Sequence, residues 1–361
     1  MEDGRAGRRR IGVQMTTIRR RTLLRGAAAA ATAAGLGLPS IGRAAEPLVI
    51  NSYGGPFEKF MREEIIPVFE KETGIKTKLD IGLAKNWLAT LRAAGVDNPP
   101  YDVLLMNGIF AALLRAEGFF EPIPVAEVPN LKDLVPVARM PNDNGVIAWM
   151  QPLGVAYRSD MTKAKPAAWK DLWIPEFKGH IGLYTITNTG GMMFLLMIAK
   201  IFGGSEYKTD VAFDEIRKLK PFTQVDFSGT MEIMLTRGEV TVGPLDFPAA
   251  ARLKLKGAEI DVKPPAEGSF MFDQMFDVLK GSKKKAEGYK WLNFLLRPDI
   301  QEKWVKGFYV TPSSQAAKIP DELKPLIPLY GDRTKEIVVF DWDTANKNRD
   351  AIIDRWNKEM T

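Results

Sequence analysis

A chain of 361 residues is longer than one compact core fills, and 45% apolar content is that of a globular protein, so two domains of ordinary size are expected. The formal charge of +6 points to nucleic acid or a membrane surface only until it is located, because nine Arg against Glu2 and Asp3 give residues 1–45 a charge of +7 and leave −1 for the rest. The absence of Cys excludes thiol catalysis and Cys-ligated zinc, and the single histidine, His180, excludes a His-based triad or a multi-His metal centre, so neither a metal nor another cofactor is expected.

Residues 1–45 have the tripartite form of an export signal. A basic region ends in Arg20-Arg21-Thr22-Leu23-Leu24-Arg25, an Ala-rich apolar stretch runs from Gly26 to Ile41, and small residues surround Ala44-Ala45. The Arg-Arg-x-Leu-Leu-Arg pattern is similar to a twin-arginine signal, which is a translocase address, and it implies a periplasmic protein starting near Ala45 or Glu46. The apolar stretch is shorter than the roughly 20 residues a membrane-spanning helix needs.

Leu48 to Asn51 reads as a buried strand, followed by the loop Ser52-Tyr53-Gly54-Gly55-Pro56 and a helix from Phe57 to Thr73 that Gly74 closes and Pro67 kinks. Ile75 to Ile81 reads as a second strand, Trp87 to Ala94 as a short helix and Tyr101 to Met106 as a third strand. That strand opens at Asn107-Gly108 into a helix from Ile109 to Glu117. Alternation of strand and helix predicts an α/β fold with a mainly parallel sheet, whose ligands bind at the carboxyl ends of the strands. The loops at Tyr53 and Asn107 lie at such ends, and neither has the spacing of a dinucleotide or phosphate-binding fingerprint.

Further on, Trp149 to Arg158 is extended and Ile181 to Thr185 is a strand. The turn Thr187-Asn188-Thr189-Gly190-Gly191 leads into an apolar helix from Met192 to Phe202, too short to span a membrane. The turn reads either as an anion-accepting helix start or as an ordinary Asn/Thr cap. Helices are expected over 213–219, 231–235, 249–256 and 286–296, with a strand over 240–245 ending at Asp246. One charged amphipathic helix is expected in the tail, which also holds Trp342.

The segment Ser269 to Asp277 sets carboxylates inside an apolar run. Alternation puts Phe270, Phe272 and Phe276 on one face of a strand and Met271, Asp273, Met275 and Asp277 on the other. A buried Asp273 needs a cation, hydrogen-bond donors or trapped water, and by itself the stretch reads as a strand-end acid bonded to water or backbone N–H groups.

The string Trp169-Lys170-Asp171-Leu172-Trp173-Ile174-Pro175-Glu176-Phe177-Lys178-Gly179, with Phe69 to Ile75, Tyr101-Asp102-Val103, Trp291 to Asp299 and Tyr309-Val310-Thr311-Pro312, resembles the extracellular solute-binding proteins of bacterial ABC importers, and among them the spermidine/putrescine-binding group. The resemblance implies a two-lobed Venus-flytrap fold with a crossover hinge: residues 46–152 plus 270–312 in the first lobe, 153–269 plus 313–361 in the second. It implies a monomer that captures a small solute between the lobes for the permease subunits of the transporter, with no nucleic-acid partner and no catalysis. Carried over residue by residue, it assigns ligand contacts to Tyr53, Asn107, Asp273, Tyr309 and Trp342.

Two departures bear on the solute. The polyamine group usually has tryptophan where this chain has Asp246, and usually has two acids where this chain has Thr187, Asn188 and Thr189. The expected solute is therefore a short diamine, quaternary ammonium compound or zwitterion such as an amino acid derivative or aminophosphonate, with Asp246 and Asp273 for its cation and the Thr187–Gly191 turn for a polar or anionic end. A secreted hydrolase using Asp246 and Asp273 as a carboxylate pair, and an iron(III)-binding relative, stand as alternatives.

Overall fold

A computed structural model describes residues 46–140 and 144–361. The export signal expected over residues 1–45 lies outside the described residues. The strands are β1 (Leu48–Ser52), β2 (Thr77–Ile81), β3 (Val103–Met106), β4 (Val146–Arg158), β5 (Gly182–Tyr184), β6 (Thr223–Val225), β7 (Val242–Asp246), β8 (Ile260–Lys263), β9 (Met271–Val278) and β10 (Thr311–Pro312).

One sheet has the order β10-β4-β9-β3-β1-β2. Only β1, β2 and β3 are parallel; β9 runs antiparallel to β3, and β4 antiparallel to both β9 and β10. The expectation of a mainly parallel sheet holds for the first three strands. It fails beyond them because β9 and β10 return from far along the chain, and no short βαβ crossover fixes their direction.

The 13-residue β4 joins this sheet to a second one. Val146 to Pro152 pair with β9, and from Leu153 onward the strand pairs with β7 and β8. Pro152, which has no N–H to give a ladder, stands at the handover. Close packing follows at once: a Cβ on Gly154 would lie 2.3 Å from the Lys263 carbonyl oxygen. On the far side of β7, β5 pairs in parallel with β6 and touches β7 through Ile181 and Val242.

The first helical run, Pro56 to Thr73, is continuous but contains a π turn at Met61–Ile65, where the Ile66 N–H reaches back to the Met61 carbonyl. Pro67 follows at once. Having no N–H to donate, it is accommodated by a widened turn, so the expected kink appears as a π-bulge. Gly74 ends the run at φ 71°.

Strand β9 departs from the alternation expected of it. All eight residues are buried, because the strand lies inside the sheet with apolar side chains over both faces. Trp169 stacks on Phe270 at 4.7 Å and its indole N–H donates to the Gly268 carbonyl, so the tryptophan-rich string packs the entry to β9. A second aromatic cluster, with Trp149 stacked on Trp304 at 4.0 Å, lies under Phe57 and Phe308.

The apolar helix is longer than expected, Thr189–Gly203, because Gly190 and Gly191 enter its first turn behind the Asn188 cap. The tail forms two helices, Trp342–Lys347 and Arg349–Glu359, with Trp356 buried against Phe213 and Phe222. Among the described residues no helix is long and apolar enough to cross a membrane.

Candidate functional site

The site is built at the ends of β1 and β3. The Asn51 side chain donates to the Leu105 carbonyl (2.8 Å) and accepts from the Leu105 N–H (2.5 Å), which clamps the two strands side by side. Tyr53 and Asn107, each two residues further on, emerge together, and the Tyr53 hydroxyl donates to Asn107 Oδ1 at 3.4 Å. The Tyr53 ring lies 5.3 Å from Trp87 and 5.9 Å edge-on to Phe57.

Asp273 is delivered to the same place by the pairing of β9 with β3. Its Oδ1 accepts the Gly108 N–H at 2.9 Å, at the start of the helix Gly108–Ala116, and its carbonyl accepts from Asn107 Nδ2 at 2.9 Å. The carboxylate thus answers a helix N-terminus, a favourable charge–dipole arrangement. The side of Gly108 is filled: a Cβ there would lie 2.3 Å from Asp273 Oδ2 and 2.8 Å from Trp342 Nε1. Trp342 therefore reaches the site from the tail, and Asn346, one turn on, donates to the Ile109 carbonyl at 2.8 Å.

Burial pushes the Asp273 carboxyl up to about 7, against the pull of the Gly108 N–H, the Asn107 side chain and the more distant Arg115. Burial, and then the charge of Asp273, hold the Tyr53 phenol above its usual range, so Tyr53 is a neutral donor.

The helix Thr189–Gly203 contributes Thr189 at its start, whose hydroxyl reaches Asn107 Oδ1 at 3.4 Å. Asn188 caps its helix: its Oδ1 accepts from Gly190, and its carbonyl accepts from Gly191 and Met192. These bonds make the turn an Asn cap in which the N–H groups of Gly190, Gly191 and Met192 are already engaged. Thr187 is exposed and touches the Thr185 hydroxyl. The acid missing from the turn arrives from elsewhere, since Asp226, just past β6, accepts from Thr185 Oγ1 at 2.8 Å and its carbonyl accepts from Asn188 Nδ2.

Asp246 ends β7, 3% exposed, and spends its side chain on the Ala249 N–H (2.9 Å) as the cap of the helix Phe247–Leu255. Burial raises its pKa, and the nearby Arg252 opposes this. Asp246 bonds to the start of the helix it caps and Asp273, from β9, to the start of the helix Gly108–Ala116, so each acid serves a helix start and the two are not bonded as a paired acid and base. Tyr309 caps the helix Pro298–Phe308 in the left-handed region at φ 61°, next to β10. Its ring is not joined by the bonds that tie Tyr53, Asn107, Asp273 and Thr189 together. No cluster of three or more His, Cys, Asp or Glu side chains able to hold a metal occurs among the described residues.

Acidic and aromatic side chains gathered at strand ends beside a shared strand are the setting for a solute pocket, and comparison with known proteins identifies the kind. The bacterial extracellular solute-binding protein family matches residues 98–348. This chain belongs to that family. It is 26% identical over 267 residues to the spermidine/putrescine-binding periplasmic protein of Escherichia coli K12, which covers 71% of this chain and 75% of the relative. An ABC transporter structure from Clostridium perfringens superposes with a TM-score of 0.74 at 24% identity, over 87% of this chain and 100% of the other. The Atu4243-GABA receptor superposes with a TM-score of 0.75 at 20% identity, over 88% and 98%.

The fold is thus the two-lobed one of periplasmic binding proteins. The chain is the substrate-binding component of an ABC transporter, which binds a small molecule, works with the permease and is not an enzyme.

In this solute-binding protein two side chains close to Asp246, those of Tyr184 and Arg252, carry no sequence signal. Tyr184, its hydroxyl bonded to Ser228 and its ring edge-on to Phe272 at 5.9 Å, feels the charge of Asp246. Arg252, six residues after Asp246, sets its guanidinium 4.6 Å over the Phe308 ring and donates to Glu232 Oε1 at 3.3 Å. An Arg in the second turn of a helix reads as solvated surface; here Phe308, 56 residues further along the chain, covers one face of it.

Proposed function

We propose that the protein captures a small solute bearing a cationic group, in the cleft between a lobe of residues 46–152 plus 270–312 and a lobe of residues 153–269 plus 313–361. It acts as a monomer in the periplasm, reached through a twin-arginine signal in residues 1–45. The observation that carries this reading is the buried Asp273 carboxylate, with Tyr53 and Trp342 beside it and Asn107 fixing its backbone. A desolvated acid next to aromatic faces suits an ammonium or quaternary ammonium group, to which each aromatic contact adds roughly 0.5–2 kcal/mol. The polyamine-binding relatives support the same class, which includes short diamines, betaines and aminophosphonates. Asp246 and Tyr309 complete the acidic and aromatic wall in this reading.

Calorimetry on ligand-stripped protein with a panel of diamines, betaines, aminophosphonates and amino acids tests it. At least one should bind saturably, and Asp273→Asn should weaken it by about 2 kcal/mol or more. An unchanged Kd would remove Asp273 from the site.

A further inference from the structure

The tail presents one stripe of side chains to the helix that starts at the site. Trp342, Asn346 and Arg349 meet Gly108, Ile109 and Phe110 in turn. Trp342 Nε1 fills the side of Gly108, Asn346 Nδ2 donates to the Ile109 carbonyl at 2.8 Å, and the Arg349 guanidinium lies 5.5 Å over the Phe110 ring. On both sides of the stripe the tail is fastened elsewhere. Before it, Asp341 accepts from the Tyr207 hydroxyl at 2.9 Å and gives its N–H to Glu206 Oε1. After it, Trp356 Nε1 donates to Gln224 Oε1 at 2.8 Å and Arg355 pairs with Asp210. The stripe itself is the weak seam. Arg349 Nε and Asn346 Oδ1 are buried without a partner, and burial lowers the Arg349 pKa, a fall that Asp350 opposes and Arg92 reinforces. One hydrogen bond and one cation–π contact are set against two unsatisfied groups that water would satisfy if the seam parted.

We infer that residues 342–349 are a releasable latch between the two lobes. Latched, they clasp the first turn of the helix Gly108–Ala116, the turn whose Gly108 N–H holds Asp273, and wall in that carboxylate. Released, they stay with Tyr207, Gln224 and Asp210 and uncover it. The opposing contributions across the seam leave both positions populated before any solute binds. The inference rests on the proposed lobes, with residues 313–361 in the second, and adds the contact that governs their parting.

The test needs no ligand: amide hydrogen exchange and small-angle scattering on the ligand-stripped protein, with cooperative melting as the folding control. The double variant Asn346→Ala/Arg349→Ala removes both attractive contacts, and should exchange at least about tenfold faster over residues 109–112 and show a larger radius of gyration. Arg349→Met removes the unsatisfied cation but keeps an apolar chain over Phe110, so it should slow that exchange and make the protein more compact. Lys347→Ala, on the exposed side of the same helix, should change neither. A double variant that melts cooperatively but keeps the original radius overturns the latch, whether or not its exchange rises, and leaves the lobes standing. If the double variant does not fold, Arg349→Met decides alone, and exchange that is unchanged or faster overturns the latch. Faster exchange confined to residues 209–225 would mean that the tail travels with the first lobe, and then the lobe boundary at 313 falls and the latch with it.

Discussion

Asp273 draws its properties from two neighbours that lie far from it in sequence and from its burial. Gly108 gives it an N–H, Asn107 holds its carbonyl, and burial keeps its carboxyl near 7. An unfolded Asp releases its proton near pH ~3.9, whereas this one retains it to about 7, as does Asp277, whose two oxygens have no hydrogen-bond partner. Between those values the folded state binds more protons than the unfolded one, so stability falls as pH rises through the window. The ligand-free protein should accordingly melt higher at pH 5 than at pH 8. Asp277→Asn should flatten that difference, and a melting curve that steepens would contradict the assignment. A cationic ligand prefers ionised Asp273, so its affinity should weaken on the order of tenfold per pH unit below about 7, and Asp273→Asn should remove the trend. Gly108→Ala drives a methyl group into Asp273 Oδ2 and Trp342 Nε1, and calorimetry should find cation affinity lowered at least ~tenfold.

At the scale of elements, the apolar helix and its cap separate a structural role from a binding one. Asn188→Ala deletes the bonds to Gly190 and to the Asp226 carbonyl. The expected cost is about 1 kcal/mol of stability, seen as a lower denaturant midpoint, with solute affinity unchanged. A loss of affinity with no loss of stability would make Asn188 a ligand contact. The π turn before Pro67 carries a related lesson: the missing donor was visible in the sequence, but whether the helix would break, bend or widen depended on the sheet it packs against.

For the whole molecule, β4 is the strand on which both sheets depend, since it exchanges β9 for β7 between Pro152 and Leu153. A solute gripped from both sides of that handover should hold the lobes together. At a ligand concentration of about 100 Kd the gain in stability should be about 2.7 kcal/mol, and small-angle scattering should report a smaller radius of gyration. Scattering curves that superpose with and without ligand would rule out closure.

The helical stretches were legible where apolar residues recur at helical spacing and a glycine ends them, as at Gly74. Short strands such as β6 and β8 were not, because three or four residues carry too little pattern to separate from loop. The tail read as one helix because its charge pattern continues across Asn348, where the backbone leaves the helical region at φ −103° and ψ 3°.

Composition, the lone histidine and the absence of cysteine were sufficient to exclude thiol, His-triad and multi-His metal chemistry, because those need side chains the chain does not have. Motif order likewise carried the family, since the same strings lie along much of the chain. The site was decided by tertiary structure. Tyr53, Asn107, Asp273 and Trp342 meet only through strand register and the return of the tail, and Arg252 is covered on one face by Phe308. A side chain's chemistry is local, but its desolvation and its partners are set by residues that lie far from it in the sequence.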